Sequence, residues 1–270
     1  MFGRERKEPA VLFSRKLGEG GRGVVLLHGF MGSGSNLRRL AQLWSERDPS
    51  LFFVLPDLTG HGRSPALPAG ADLFTLAGDV IATARAEGIQ GPLRIVGHSL
   101  GGRVGLAAIL LSPSDVKEVV ALDVAPGPID PSKVESGRVL EIYRGAPAEA
   151  KSRDEMRAYF SARRLSSDRA EWLLTNLVRE GDALRWRVDR EALAALHART
   201  SSADLWSALG NGVPVHFIRG GDSPFVSEED VVRIEGAGHR VETVEGADHY
   251  LHVTHAEEVA RRLDEHFRAR

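Results

Sequence analysis

Gly97-His98-Ser99-Leu100-Gly101 sets a serine between two glycines, directly after an apolar run and directly before a helix-patterned stretch. A serine on such a strand-to-helix turn is a nucleophile elbow, and the chemistry it implies is acyl transfer. Leu93-Arg94-Ile95-Val96, punctuated by Gly91-Pro92, reads as a buried parallel strand, and Gly101 to Leu111 reads as a helix stopped by Ser112-Pro113. The turn between them forces Ser99 into a strained backbone conformation and demands small neighbours, which Gly97, Gly101, Gly102 and Gly105 supply. The hydroxyl is then lifted over the sheet beside the first N–H groups of the helix, where developing negative charge is stabilised, and the Leu100 N–H becomes an oxyanion donor. The competing reading of the bare pattern is a serine that merely caps the helix.

A serine nucleophile needs a base, and two glycine-preceded histidines compete: His239 in Gly236-Ala237-Gly238-His239 and His249 in Gly246-Ala247-Asp248-His249. His239 precedes the apolar run Val241–Val244 and so belongs at the amino end of a strand, whereas His249 follows that run. His249 is the expected base. Thr254-His255-Ala256-Glu257 reads as a capping box opening a helix whose apolar residues Val259, Leu263 and Phe267 recur every fourth position. His249, His252 and His255 lie in the loop before that cap without a carboxylate at ligand-like spacing, so no metal is expected there. The imidazole in turn needs a carboxylate on its other nitrogen. Asp123 and Asp222 each follow an apolar run and can supply it.

These groups must be positioned by a common scaffold. Apolar runs recur at Val24–Leu27, Leu51–Leu55, Leu93–Val96, Val119–Leu122, Val213–Ile218 and Val241–Val244, with helix-patterned stretches between most of them. Such alternation predicts a mostly parallel sheet flanked by helices, with ligands bound beyond the carboxyl ends of its strands. The residues just past those ends are His28-Gly29-Phe30, Asp57, Ser99, Asp123, Gly220–Ser223 and His249. From about Pro128 to Gly210 the pattern changes to amphipathic helical segments around Met156–Phe160, Trp172–Val178 and Leu193–Ala198, with no comparable strand run. This predicts a core α/β domain in two parts, 1–127 and 211–270, with an inserted helical lid at 128–210. Trp172, Trp186, Trp206, Tyr159 and Phe160 are candidates to line a pocket under the lid, against the commoner role of ordinary packing.

Composition narrows the chemistry. At 270 residues and 42% hydrophobic content the chain can bury a full core, and a net charge of −2 leaves no basic surplus for nucleic acid or an anionic membrane. With no cysteine, disulfides, thiolate metal sites and a cysteine nucleophile are excluded, so chemistry must rest on Ser, His and carboxylates. Met1 to Pro9 is polar and charged, unlike a signal peptide, and no run approaches transmembrane length, so a cytoplasmic location is expected.

Several motifs together resemble the α/β-hydrolase superfamily over nearly the whole chain, and within it the YbfF-type bacterial esterases. They are Leu26-Leu27-His28-Gly29-Phe30-Met31-Gly32-Ser33, Pro56-Asp57-Leu58-Thr59-Gly60-His61-Gly62-Arg63-Ser64, the elbow from Gly97 to Gly102, Asp123-Val124-Ala125-Pro126, the segment Arg219 to Val226, and Gly246-Ala247-Asp248-His249. The resemblance implies the α/β-hydrolase fold and makes the Phe30 N–H the second oxyanion donor. It also makes Asp57 a loop-bracing carboxylate, and His28, His61, His98 and Arg63 structural or rim groups. Most superfamily members carry the acid three residues after the glycine ending the penultimate strand, which here is Ser223 if that glycine is Gly220; Asp222 is one residue early. In an extended segment that shift turns a side chain to the opposite face. In YbfF-type esterases the acid at the end of the preceding core strand takes over, which points to Asp123 assisted by Ser223, with Asp222 as the alternative acid. The expected reaction is hydrolysis of a small carboxylic ester or thioester without a cofactor. A lyase, synthase or C–C hydrolase on the same fold and a non-catalytic ligand-binding protein are the alternatives.

Overall fold

The computed structural model describes residues 8–130 and 136–268, so most of the polar amino-terminal stretch from Met1 lies outside the described residues. Strands β1 (Ser14–Leu17), β2 (Arg22–Leu27), β3 (Leu51–Pro56), β4 (Leu93–His98), β5 (Val116–Leu122), β9 (Val215–Gly220) and β10 (Arg240–Val244) form one sheet in the order β1-β3-β2-β4-β5-β9-β10. Every pairing in it is parallel except β1 with β3, which is antiparallel. Each of the six apolar runs becomes a strand. β1 has no such run: its pattern is Ser-Arg-Lys-Leu, and as an edge strand it needs only backbone pairing to β3.

Successive residues of the central strands alternate between the two faces, which is why the runs are continuously apolar. Val25, Leu27, Ile95 and Val119 pack with helices α2 (Leu73–Ala86) and α3 (Leu100–Leu111), while Val24, Leu26, Val96 and Val120 pack with α1 (Arg38–Arg47) and α10 (Ala256–Arg268). The register aligns His98 with Leu122 and Leu122 with Ile218, so β4, β5 and β9 reach their carboxyl ends side by side.

The chain between β5 and β9 contains helices α4 (Ser136–Arg144), α5 (Arg153–Ala162), α6 (Ser167–Leu174) and α7 (Arg190–Ser202). It also contains strands, contrary to the all-helical reading: β6 (Glu149–Ala150), β7 (Leu177–Glu180) and β8 (Ala183–Trp186) make a small antiparallel sheet. The stretch read as helical to Val178 therefore breaks after Leu174, and Val178 pairs with Arg185 of the neighbouring strand. Strands this short carry too few residues for a period of two to stand out. Two backbone bonds, Ile129 N–H to Ser201 O and Leu205 N–H to Pro126 O at 2.8 and 2.9 Å, zip the entering and leaving connections together. Arg103 of α3, buried at 1% exposure, donates to the carbonyls of Ala125, Gly127, Thr200 and Ala203 and so clasps both connections. Burial pulls its guanidinium down to about 10, which still leaves it charged at neutral pH.

The sheet is completed by α8 (Glu228–Gly236), which follows β9, and by the four-residue α9 (Leu251–Thr254), which sits where a loop is expected. Thr254 ends α9 and its hydroxyl reaches back to the Tyr250 carbonyl, so it does not form the capping box expected for α10. No helix among the described residues is long and apolar enough to cross a membrane.

Candidate active site

Ser99 joins β4 to α3 with φ 51° and ψ −115°, a conformation that costs a residue with a side chain roughly 1–3 kcal/mol. The elbow closes only because its flanks lack side chains. A Cβ on Gly97 would stand 2.2 Å from the Gly101 carbonyl carbon, and one on Gly101 would stand 2.3 Å from the Leu27 oxygen. The Ser99 hydroxyl makes no capping bond to α3, which removes the helix-cap reading. Leu100, as the first residue of that helix, has no intrahelical acceptor for its N–H.

Asp123 emerges next to Ser99 because their preceding residues, Leu122 and His98, are register partners. Its backbone is also left-handed, at φ 53°, and its side chain is fully buried. One carboxylate oxygen accepts the Gly220 N–H at 2.9 Å; the other accepts the Ser223 hydroxyl and pairs with His249 Nδ1 at 2.7 Å. The structure thus brings Asp123, Ser223 and His249 together. Asp222 is exposed and its backbone N–H is tied to the Ala247 carbonyl, while the Nδ1 of His249 is taken by Asp123. His239 is at the opposite edge, bonded to the Leu209 carbonyl and to the Val215 backbone.

His249 is held on its face as well as its edge. The Phe225 ring lies parallel to it, 13° between planes and 3.7 Å between centroids. Sequence reasoning gave Phe225 no role, because a stacking partner five residues beyond the strand carries no motif of its own.

Ser99, His249, Phe30, Leu100 and Phe225 line one cavity of about 690 Å³, within the usual range for small-molecule sites. Phe30 lies in the turn after β2, whose next residue, Met31, is left-handed at φ 59° and accepts a bond from the Asn176 side chain of the segment between β5 and β9. Below that turn, His28 bridges the Gly29 carbonyl and the Leu58 N–H, and burial lowers it to about 4. His61, lowered to about 3 by burial and by the neighbouring His28, packs edge-on to His28 and Phe30. Asp57 accepts the N–H groups of Gly34 and Arg63, bracing both loops. His98 lines the cavity itself.

Much of the remaining wall comes from the segment between β5 and β9, including Ile129, Val139, Trp172, Thr175, His197 and Thr200. Of the five aromatic candidates only Trp172 reaches the cavity. Trp186 packs on Tyr143 and donates to the Pro147 carbonyl, Trp206 lies under Arg233, Tyr159 under Arg163, and Phe160 is buried in the core. Among the described residues no group of three or more His, Asp or Glu side chains could hold a metal ion.

The sequence profile of the alpha/beta hydrolase family matches residues 24–262. An sn-1-specific diacylglycerol lipase of Xenopus laevis is 29% identical over 244 residues, covering 85% of this chain and 74% of that protein. Esterase YbfF of Escherichia coli is 27% identical over 243 residues, covering 89% of this chain and 91% of the relative. A marine microorganism esterase superimposes with a TM-score of 0.83 at 24% identity over 95% of this chain and 99% of its own, a likeness of fold.

Proposed function

The chain belongs to the alpha/beta hydrolase family, and from that premise we propose that it is a serine esterase acting on small carboxylic esters or thioesters through Ser99, His249 and Asp123. The observation that carries this reading is the pairing of a buried Asp123 with His249 at 2.7 Å beside a strained, uncapped Ser99 on the wall of one cavity. In the proposed reaction the Nε2 of His249 takes the hydroxyl proton as Ser99 Oγ bonds to the acyl carbon, and the Phe30 and Leu100 N–H groups receive the oxyanion. The imidazolium gives its proton to the departing alcohol or thiol. Water, deprotonated by the same ring, then releases the acid and restores Ser99. Asp123 holds Nδ1 protonated and stabilises the imidazolium; Ser223 and the Gly220 N–H fix that carboxylate.

The segment 128–210 is proposed to act as a lid whose inner wall meets the acyl group. The esterase and lipase relatives, at 27% and 29% identity, support ester cleavage over a lyase or a silent binding protein. The deciding experiment is hydrolysis of p-nitrophenyl esters of increasing acyl length by the wild type and by Ser99→Ala. Turnover by the wild type, with a loss on the order of 10⁴-fold or more in the variant, is the expected result. A wild type inert on every ester and thioester, and unlabelled by a fluorophosphonate, would overturn the reading.

A further inference from the structure

His98 is the last residue of β4 and the covalent neighbour of Ser99. Its Nε2 lies 2.8 Å from the His249 carbonyl; a carbonyl only accepts, so the ring carries its proton on Nε2 and donates it there. The other nitrogen faces the opposite half of the site. A Cβ on Gly29 would stand 2.8 Å from His98 Nδ1, so the main chain just before Phe30 rests against that edge and only glycine fits. The ring is 3% exposed and lies 4.6 Å from the His249 ring and 4.0 Å from His252.

One imidazole therefore meets three parts of the proposed machinery: it adjoins the nucleophile in sequence, bonds the backbone of the base, and abuts the loop of the second oxyanion donor. Burial, reinforced by the neighbouring His252 and His249 rings, holds His98 well below the usual histidine range and keeps it neutral. A neutral ring can donate to the carbonyl without placing a second cation beside His249 when that ring takes up the serine proton.

We propose that His98 is a positioning residue, fixing the His249 main chain and the Gly29-Phe30 turn in register with Ser99; the inference rests on the serine esterase reading. Distance changes of an ångström at a reacting centre cost large factors in rate, so the effect belongs in kcat and not in substrate binding. A residue that only filled space would be replaced without loss by a ring of similar size.

The test compares His98→Phe, which keeps a ring but loses the donor, with His98→Gln, which keeps an N–H donor but loses the ring. His98→Phe is expected to lower kcat roughly tenfold on p-nitrophenyl acetate, the effect of one hydrogen bond, with KM within about twofold. His98→Gln is expected to recover most of that loss, and fluorophosphonate labelling rates should follow kcat in both. If the Phe protein does not fold, His98→Leu supplies the donor-free arm of the same comparison. A donor-free variant that labels and turns over at the wild-type rate, or a Gln variant no better than the donor-free one, overturns the proposal alone. A wild type that never labels overturns the esterase reading and the proposal with it.

Discussion

β5 carries a buried carboxylate near each of its ends, and each one holds a histidine. Asp123, past the carboxyl end, pairs with His249 at 2.7 Å; Glu118, near the amino end, pairs with His266 at 3.0 Å. Both histidines are stacked, His249 on Phe225 and His266 on His216, the latter at 4.5 Å and 13°. Each pair even adjoins a cavity, and the one lined by His266 measures about 580 Å³. The surroundings separate them. Glu118 is also bonded by Arg94 at 3.0 Å, and no hydroxyl side chain is among the described residues lining the cavity at that end. Asp123 shares its edge with a strained serine and with the first N–H of α3. On the proposed function, a histidine–carboxylate pair serves stability or chemistry according to which edge of the parallel sheet it occupies, because helices start, and offer free N–H groups, only after the carboxyl ends.

That contrast is tested most severely by activity. Asp123→Asn is expected to lower kcat by about 10³–10⁴-fold, since the imidazole loses the group that fixes its tautomer and balances its charge. Glu118→Gln, at the other edge, is expected to leave kcat/KM within about twofold, as is Asp222→Asn, whose side chain is exposed. An Asp222→Asn protein as crippled as Asp123→Asn would transfer the acid role and break the comparison.

Stability should rank the two ends the other way. Glu118→Ala strands Arg94 and His266, whose side chains are 15% and 7% exposed, and breaking a buried pair in this manner costs about 3–5 kcal/mol. The corresponding fall in Tm, roughly 6–12 °C for a chain of this size, is measurable by calorimetry. Asp123→Asn keeps an acceptor of similar shape and is expected to melt within a few degrees of the wild type.

A smaller effect separates the two stacking partners. Removing Phe225 should lower kcat/KM by about three- to tenfold, the rate equivalent of the roughly 0.5–1.5 kcal/mol that an aromatic contact contributes. His216→Ala, which removes the ring stacked on His266, should leave ester hydrolysis unchanged while lowering Tm.

The sequence carries these distinctions unevenly. The six apolar runs, the elbow and the order of His239 and His249 around Val241–Val244 are local patterns, and each of those runs appears in the structure as a strand. The choice between Asp123 and Asp222 is less legible: a period of two holds for an extended segment, whereas Asp222 lies in a turn, and it is the resemblance to YbfF-type esterases that favours Asp123. What the sequence conceals is contact across long separations. Arg103 reads as one more helix residue, yet it meets carbonyls about a hundred positions away. Glu118 and His266, 148 positions apart, give no sign of pairing. Nor does a four-residue strand such as Leu177–Glu180, whose pairing comes from its neighbour and not from its own pattern.

The finest separation between the two ends is in pH. Burial by itself pushes the Glu118 carboxyl up, but the bonds and charges of His266 and Arg94 together outweigh it and hold Glu118 below the ordinary glutamate value of 4.5. A carboxyl depressed on folding contributes stability that is fully present above its unfolded value and is lost as pH falls through its folded one. The Tm gap between wild type and Glu118→Gln should therefore narrow as pH falls through and below about 4.5, where the unfolded glutamate takes up its proton. A gap independent of pH between 3.5 and 7 would mean that Glu118 is held by shape and not by charge, and the amino-edge pair would cease to be the electrostatic counterpart of Asp123 and His249.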